Sequence, residues 1–383
     1  MDVPNYGVKL NLDAKTFKVP FGRLADSNNE YLSNVREVIE SGELIGGKYV
    51  NEFEIKLAAY LRTDHVISVA SGMDALTLAI SSLNLQPDSK ILVANNAGGY
   101  ASLAVLNAGH TPLFCDVSID SYLITLQNIQ ELKVAPAAIV LTHLYGKMTD
   151  IMEIRDWADD LNIPIIEDCA QAIGAEMDGL KAGTIGTIGC FSFYPTKNLG
   201  GIGDGGAIAT NDAKLASKIR NLKQYGWHTR YQIQEKHGIN SRLDAINSSV
   251  LTAKIDSLDV VNNVRRNILK QYRTVDFDNN FFDISNIDNS HVAHLAVGRA
   301  SSPTNFIDYF KRKGIEVSRH YPYPDSELPG LNYKSEKCDL KNSKVLCNQV
   351  VSLPLYPSLS ADQIELVCSA LKEYLNTKEL LND

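Results

Sequence analysis

The 383-residue chain has only two tryptophans and six cysteines, and the cysteines (Cys115, Cys169, Cys190, Cys338, Cys347 and Cys368) are scattered without a C-x-x-C pair. Neither a zinc site nor a disulfide framework is suggested, no metal is expected, and a reducing cytoplasm suits this usage. Positive charge is also short: 37 Lys and Arg against 45 Asp and Glu leave a net charge of −8. That argues against nucleic acid as the main partner, because phosphate backbones need a basic surface. No apolar run approaches the roughly 20 residues that span a bilayer. The opening Met1-Asp2-Val3-Pro4-Asn5-Tyr6 has no basic segment followed by an apolar one, so no signal peptide is expected. There is no internal repeat and no low-complexity tract.

What is present is the composition of a globular protein, 44% hydrophobic and 21% charged, and the length points to two domains. The stretches 66–70, 90–94, 112–117, 138–142 and 163–168 read as short buried strands. Helical spacing of apolar residues separates them, over 73–83, 101–108 and 150–161, and precedes them over 28–41 and 50–61. Alternation of this kind predicts an α/β fold with a largely parallel sheet and ligands at the carboxyl ends of its strands. Residues 1–25 show no period and read as an arm, and 26–245 as the large domain. Residues 246–383 read as a connecting helix, running to about Phe277, and a smaller C-terminal domain. A histidine-containing strand is expected there over 290–297, and a last helix over 360–375.

One stretch organises the rest. Cys190-Phe191-Ser192-Phe193-Tyr194-Pro195-Thr196-Lys197-Asn198-Leu199-Gly200 starts as a buried strand, stops at Pro195 and runs into a glycine-rich turn ending at Gly206. Lys197 is the only charge between Lys181 and Asp204. Kept from water, a lysine loses hydration and its pKa falls; neutral at pH 7, it is a nucleophile able to form a Schiff base. It also reads as a surface lysine in a flexible turn. Asp168 closes a buried strand, as a functional carboxylate would, or a helix cap, or an arginine's partner. Gln171 shares its side if a helical turn begins there. Ser71-Gly72-Met73-Asp74 opens a helix directly after a strand. Free N–H groups there favour an anion, unless Ser71 or Asp74 merely caps the helix. His320 and Tyr321 sit in an aromatic, proline-rich segment and are weaker candidates.

Lysine, strand-end carboxylate and anion-ready helix start together match the needs of pyridoxal phosphate. A lysine holds its aldehyde, a carboxylate keeps its pyridine nitrogen protonated, and N–H groups hold its phosphate.

On these residues the chain resembles the sugar aminotransferases of the DegT/DnrJ/EryC1/StrS family. The matching pieces are Ser71-Gly72-Met73-Asp74-Ala75-Leu76, Glu167-Asp168-Cys169-Ala170-Gln171, Phe191 through Gly200, Gly203-Asp204-Gly205-Gly206, Asn240-Ser241-Arg242-Leu243-Asp244, His320-Tyr321-Pro322 and Leu353-Pro354-Leu355-Tyr356-Pro357. They come in the family's order over roughly residues 30–375. The resemblance implies the type I fold of pyridoxal-phosphate-dependent transferases: a large domain on a mixed, mostly parallel sheet and a smaller α/β C-terminal domain. It implies that Lys197 is the Schiff-base lysine, that Asp168 pairs with the pyridine nitrogen and that Gln171 lies by the ring's 3-oxygen. Gly72, Met73 and Ser192 are then expected on the phosphate, and Asn240 on the phosphate of a partner subunit's cofactor in a homodimer with shared sites. Tyr194, His320 and Tyr321 are expected to border the nucleotide sugar.

The reaction so implied moves an amino group from an amino acid, glutamate by expectation, to a keto group of a nucleotide-linked 6-deoxyhexose. It passes through pyridoxamine phosphate and serves deoxyamino-sugar and surface-polysaccharide or natural-product synthesis. The Tyr194–Gly200 wording with its Gly-Asp-Gly-Gly ending is similar to members acting at C3 of a dTDP sugar; action at C4 of a dTDP or UDP sugar is the alternative. Some relatives carry histidine in place of the lysine and act as dehydratases, which Lys197 disfavours. Two departures stand out. The family's ring-stacking aromatic falls at Gly98, with Tyr100 as the candidate replacement, and Met73 stands where threonine is common.

Overall fold

The structure, a computed structural model, describes residues 17–22, 31–276, 281–283, 286–331 and 339–379. The expected arm therefore lies outside the described residues except for 17–22, as do the first residues of the helix expected from Asn28.

Seven strands form the main sheet: β1 (His65–Val69), β2 (Lys90–Ala94), β3 (Thr111–Cys115), β4 (Ala138–Thr142), β5 (Ile165–Asp168), β6 (Ile188–Ser192) and β7 (Gly206–Thr210). Their order across the sheet is β1-β7-β6-β5-β4-β2-β3. All neighbours are parallel except β7, which runs antiparallel to both β1 and β6. The strands read as continuous apolar runs because both faces are covered. Alternation then splits each strand between two cores. Leu92, Ile139, Leu141 and Ile165 join the core with the helices Gly47–Leu61, Ile151–Asp160 and Ala245–Ile255. Ile91, Val93, Val140 and Ile166 join the core with the helices Gly72–Ser82, Tyr100–Asn107 and Ala213–Leu222.

A third core belongs to the C-terminal part. Strands Ala296–Arg299 and Val350–Leu353 pair antiparallel, and the helices Pro303–Arg312 and Ala361–Glu379 pack on them with Leu258–Arg273. Phe306 stacks between Phe281 and Phe310, at centroid distances of 5.5 and 4.3 Å. Val19, on the short described stretch near the N-terminus, bridges Ile315 and is buried in this core.

Two expectations shift. The long helical region after Asp244 is two helices, broken at Asp256-Ser257, where Lys56 binds the Asp256 carboxylate and Tyr60 donates to Asp259. The histidine-bearing segment 290–295 is irregular, and the strand starts only at Ala296. Ala293 has a φ of 48°, which no strand accepts, and the N–H of His294 is taken by the Tyr145 carbonyl instead.

Candidate active site

The lysine loop hangs from the carboxyl end of β6. The Lys197 N–H donates to the Tyr194 carbonyl at 2.8 Å, and Phe193 pairs with Gly205 and Gly201, closing the glycine loop back onto the sheet. Asn198 pins the turn to the C-terminal part: its amide donates to the Asn262 side chain and the Val292 carbonyl, and its oxygen meets the His294 ring at 3.0 Å. The Lys197 amine lies deep, although part of the residue remains open to solvent. Burial pushes its pKa down to about 8, against the pull of Asp168. It meets no acceptor among the described residues.

Asp168 ends β5, level with Thr142 and Cys190 on the flanking strands. Its carboxylate accepts the Ala170 N–H at 3.1 Å and faces the Thr142 hydroxyl at 3.5 Å. Burial holds its pKa above the usual carboxylate range, while the Ala170 N–H and Lys197 pull the other way. Gln171 is buried beside it; its oxygen accepts the Tyr145 N–H at 2.7 Å and its amide donates to the Tyr321 hydroxyl at 3.0 Å.

Glu167 points to the opposite side of β5. There it accepts the N–H groups of Gly183, Ile185 and Gly186 and the His143 ring at 2.9 Å. Because His143 Nδ1 accepts the Thr149 N–H, its Nε2 carries the proton given to Glu167. Cys169 lies close to this pair, but both imidazole nitrogens are already committed. The cluster is a hydrogen-bonded brace behind Asp168.

Ser71 caps the helix Gly72–Ser82, its hydroxyl accepting the Asp74 N–H at 3.1 Å, and Ser241 donates to the Asp74 carboxylate at 2.7 Å. The N–H groups of Gly72 and Met73 meet no acceptor among the described residues. A Cβ on Gly72 would stand 2.7 Å from the Ser192 Cβ, so only glycine lets the helix start approach the end of β6. Two open N–H groups and the Ser192 hydroxyl thus converge where the helix dipole is positive, a cradle for a phosphate. The Ser71 cap leaves the first two N–H groups of the helix open. The Met73 side chain packs on the second core.

The C-terminal part contributes the remaining wall. His320 shares a hydrogen bond with Ser352 at 2.9 Å and stacks on Phe21. Burial, with Lys197 nearby, lowers its pKa to about 4. Tyr321 lies against Gly98 and bonds Gln171, whereas Tyr100 is 54% exposed and meets Tyr321 edge-on at 6.0 Å. Tyr194 stays at the lysine turn. Asn240 is exposed and bridges Gln224, beside a hairpin of Trp227–Thr229 and Gln232–Ile233, and the next residue, Ser241, bonds Asp74 at the helix start. Sequence reasoning missed Tyr145, His294 and Asn198. Asn198 adjoins the lysine and was open to suspicion; nothing local marks the other two.

The sequence profile described as the DegT/DnrJ/EryC1/StrS aminotransferase family matches residues 25–372. A dTDP-3-amino-3,6-dideoxy-alpha-D-galactopyranose transaminase of Aneurinibacillus thermoaerophilus is 36% identical over 93% of this chain and 99% of its own. A dTDP-3-amino-3,4,6-trideoxy-alpha-D-glucose transaminase of Micromonospora megalomicea subsp. nigra is 34% identical over 90% of this chain and 95% of its own. Among solved structures, S. venezuelae DesV in complex with a ketimine intermediate superposes with a TM-score of 0.86 at 32% identity, covering 91% of this chain and 95% of that one. The fold is thus the type I transferase fold, and the chain belongs to the DegT/DnrJ/EryC1/StrS aminotransferase family.

Proposed function

We propose that this protein uses pyridoxal phosphate to move an amino group from an amino acid, glutamate first among them, to the C3 keto group of a dTDP-3-keto-6-deoxyhexose. The observation that carries the reading is the deep Lys197 amine, without an acceptor, opposite the buried Asp168 carboxylate. The residues fit the cofactor. Lys197 would take its aldehyde carbon, Asp168 would keep its pyridine nitrogen protonated, and Gln171 would serve its 3-oxygen. The Gly72 and Met73 N–H groups and the Ser192 hydroxyl would hold the phosphate. When bound, the cofactor supplies an electron sink and carries the amino group between two half-reactions as its pyridoxamine form. The rest would be done by the chain: Lys197, its pKa lowered to about 8, would move protons to and from the substrate carbon, and the buried Asp168 carboxylate would keep the pyridine nitrogen charged. Tyr194, His320 and Tyr321 border the sugar.

Both transaminases compared above carry the amino group at C3 in their names, which supports C3 over C4. The pyridoxamine form of the enzyme is expected to regain the visible absorbance of the aldehyde form with 3-keto but not 4-keto nucleotide sugars. Return only with 4-keto sugars would end the C3 assignment. A dehydratase on this scaffold is disfavoured by Lys197. The same assay run backwards, with a panel of amino acids, names the donor.

A homodimer with shared sites is part of the proposal. Leu32, Ile39, Leu44, Ile45, Tyr231 and Ile233 are all exposed apolar groups near the N-terminal helix and the hairpin, and a second copy would cover them. Beside the hairpin, Arg220, Trp227, His228, Arg230 and Arg242 line a groove of about 570 Å³. Cationic and aromatic groups of this kind suit a nucleotide diphosphate. Sedimentation should give twice the 42.2 kDa chain mass, and a monomer at assay concentration would remove the shared site. No helix of the described residues is long and apolar enough to cross a membrane. We place the enzyme in the cytoplasm, which cell fractionation checks, and its product in surface-polysaccharide or natural-product synthesis.

A further inference from the structure

We infer that Tyr321 is the wall against which the cofactor ring packs, and that Gly98 is the opening that admits it. This rests on the pyridoxal phosphate reading above. The cradle has three fixed points: Lys197, the Asp168–Gln171 edge, and the helix start at Gly72. A flat heteroaromatic held at such points presents its faces as well as its edges, and an aromatic side chain is the group best suited to cover one. Two rings meet at the Gly98 loop, Tyr100 and Tyr321. Tyr100 is 54% exposed and makes no described hydrogen bond to the cradle. Tyr321 is half-buried and its hydroxyl accepts from Gln171, the residue assigned to the 3-oxygen edge.

Gly98 explains how Tyr321 gets there. Its φ is +81°, and a Cβ would stand 2.8 Å from the Tyr321 ring. Any side chain at position 98 would take the space that the Tyr321 ring occupies. The segment after Tyr321 is bolted to the same loop. The Asp325 N–H donates to the Asn95 carbonyl at 2.9 Å, and the Ser326 N–H to the Asn95 side chain at 2.8 Å. Buried Asp325 also accepts the Ser102 hydroxyl, and Leu328 packs so close to Gly99 that a Cβ there would meet it at 2.8 Å. Where the resemblance implies a ring-stacking side chain at position 98, this chain has room for a ring delivered from the C-terminal part. Tyr321 has a specific task toward the cofactor and is not only a border of the sugar site.

The test is cofactor affinity and the optical signature of the bound cofactor, read without substrate. Apoenzyme is titrated with pyridoxal phosphate, following visible absorbance and visible circular dichroism. Tyr321→Ala is expected to weaken binding roughly five- to ten-fold and to change the dichroism of the bound cofactor. Tyr321→Phe keeps the ring and is expected to bind within about two-fold of the unaltered chain. Tyr100→Ala is expected to leave affinity unchanged. Native affinity and dichroism in Tyr321→Ala, or a larger loss in Tyr100→Ala, would overturn the assignment. Far-ultraviolet dichroism of each apoenzyme checks folding, and Tyr321→Phe carries the test if the alanine variant does not fold: a loss there as large as five-fold would place the effect on the hydroxyl, against the proposal. If the unaltered chain binds no pyridoxal phosphate, the cofactor reading itself fails, which separates the two.

Discussion

Lys197→Ala is expected to abolish amino transfer, lowering turnover by more than roughly 10³-fold, while the fold survives. The loss follows from two tasks removed together, holding the cofactor's aldehyde and moving protons, the second alone contributing typically about 10²–10⁴-fold. Survival of the fold follows from what Lys197 does not do. Its amine meets no acceptor among the described residues, and burial already lowers its pKa to about 8. A folded pKa below the ordinary lysine value means that folding is opposed by the charge: the opposition is absent above the ordinary lysine value, grows as pH falls from there to about 8, and is constant below it. Truncation removes that opposition and leaves a gap open to the cleft. The turn itself is held by backbone bonds and by Asn198, which the substitution leaves alone. Thermal unfolding of the two apoenzymes should therefore agree closely, with the variant the more stable if they differ. Borohydride, which fixes the cofactor to the native chain, should fix none to the variant. Steady-state turnover retained by Lys197→Ala would take the lysine out of the mechanism.

The same residues show which parts of the molecule could be read from the chain. Lys197, Asp168 and the Ser71-Gly72 helix start were legible because each signal is local: a charge isolated among apolar residues and glycine, a carboxylate at a strand end, a small polar turn before a helix. The parallel sheet was legible because strands covered on both faces are uniformly apolar and short. Contacts across the fold were not. Tyr321 meets Gln171 across 150 positions, and His294 meets Asn198 across 96, and no periodicity reports such distances. The strand expected over 290–297 failed for a related reason: Val292, Ala293 and Leu295 are apolar because they divide between two hydrophobic cores, not because they pair. Gly98 looked like a missing side chain. In the fold it is the space for another ring.

The apoenzyme is expected to lose stability steeply between pH 6.5 and pH 4, before general acid unfolding. Burial lowers the pKa of His291 and of His320 to about 4 and holds that of His294 well below its ordinary value. Each is neutral in the native fold but protonated in the unfolded chain below about pH 6.5. The unfolded state then binds more protons, so stability rises with pH across this window and drains away as pH falls through it. For His291 and His320 the full effect is about 3 kcal/mol each, comparable with a good part of a domain's net stability. Other groups act in the same window. Asp283 and Asp288 soften the shift at His291, whereas Arg273 and Lys147 deepen it. Asp325, raised to about 7 by burial, works in the opposite sense, since its proton is bound on folding and it stabilises as pH falls. Asp168 does the same. Glu54, lowered by Lys223 and Ser68 against its burial, adds to the acid loss as pH drops below its ordinary value. His291 and His320, each moved from 6.5 to about 4, together outweigh Asp325, moved from 3.8 to about 7. His320 and His294 are also held down by the Lys197 charge, so Lys197→Ala should flatten the acid limb in part, and His291→Asn should flatten it independently of the cofactor site. The measurement is the thermal midpoint of each apoenzyme from pH 7 to pH 4.5. A native profile as flat as that of His291→Asn would mean that the buried rings reach water before the chain unfolds, and that the seam they line opens on its own.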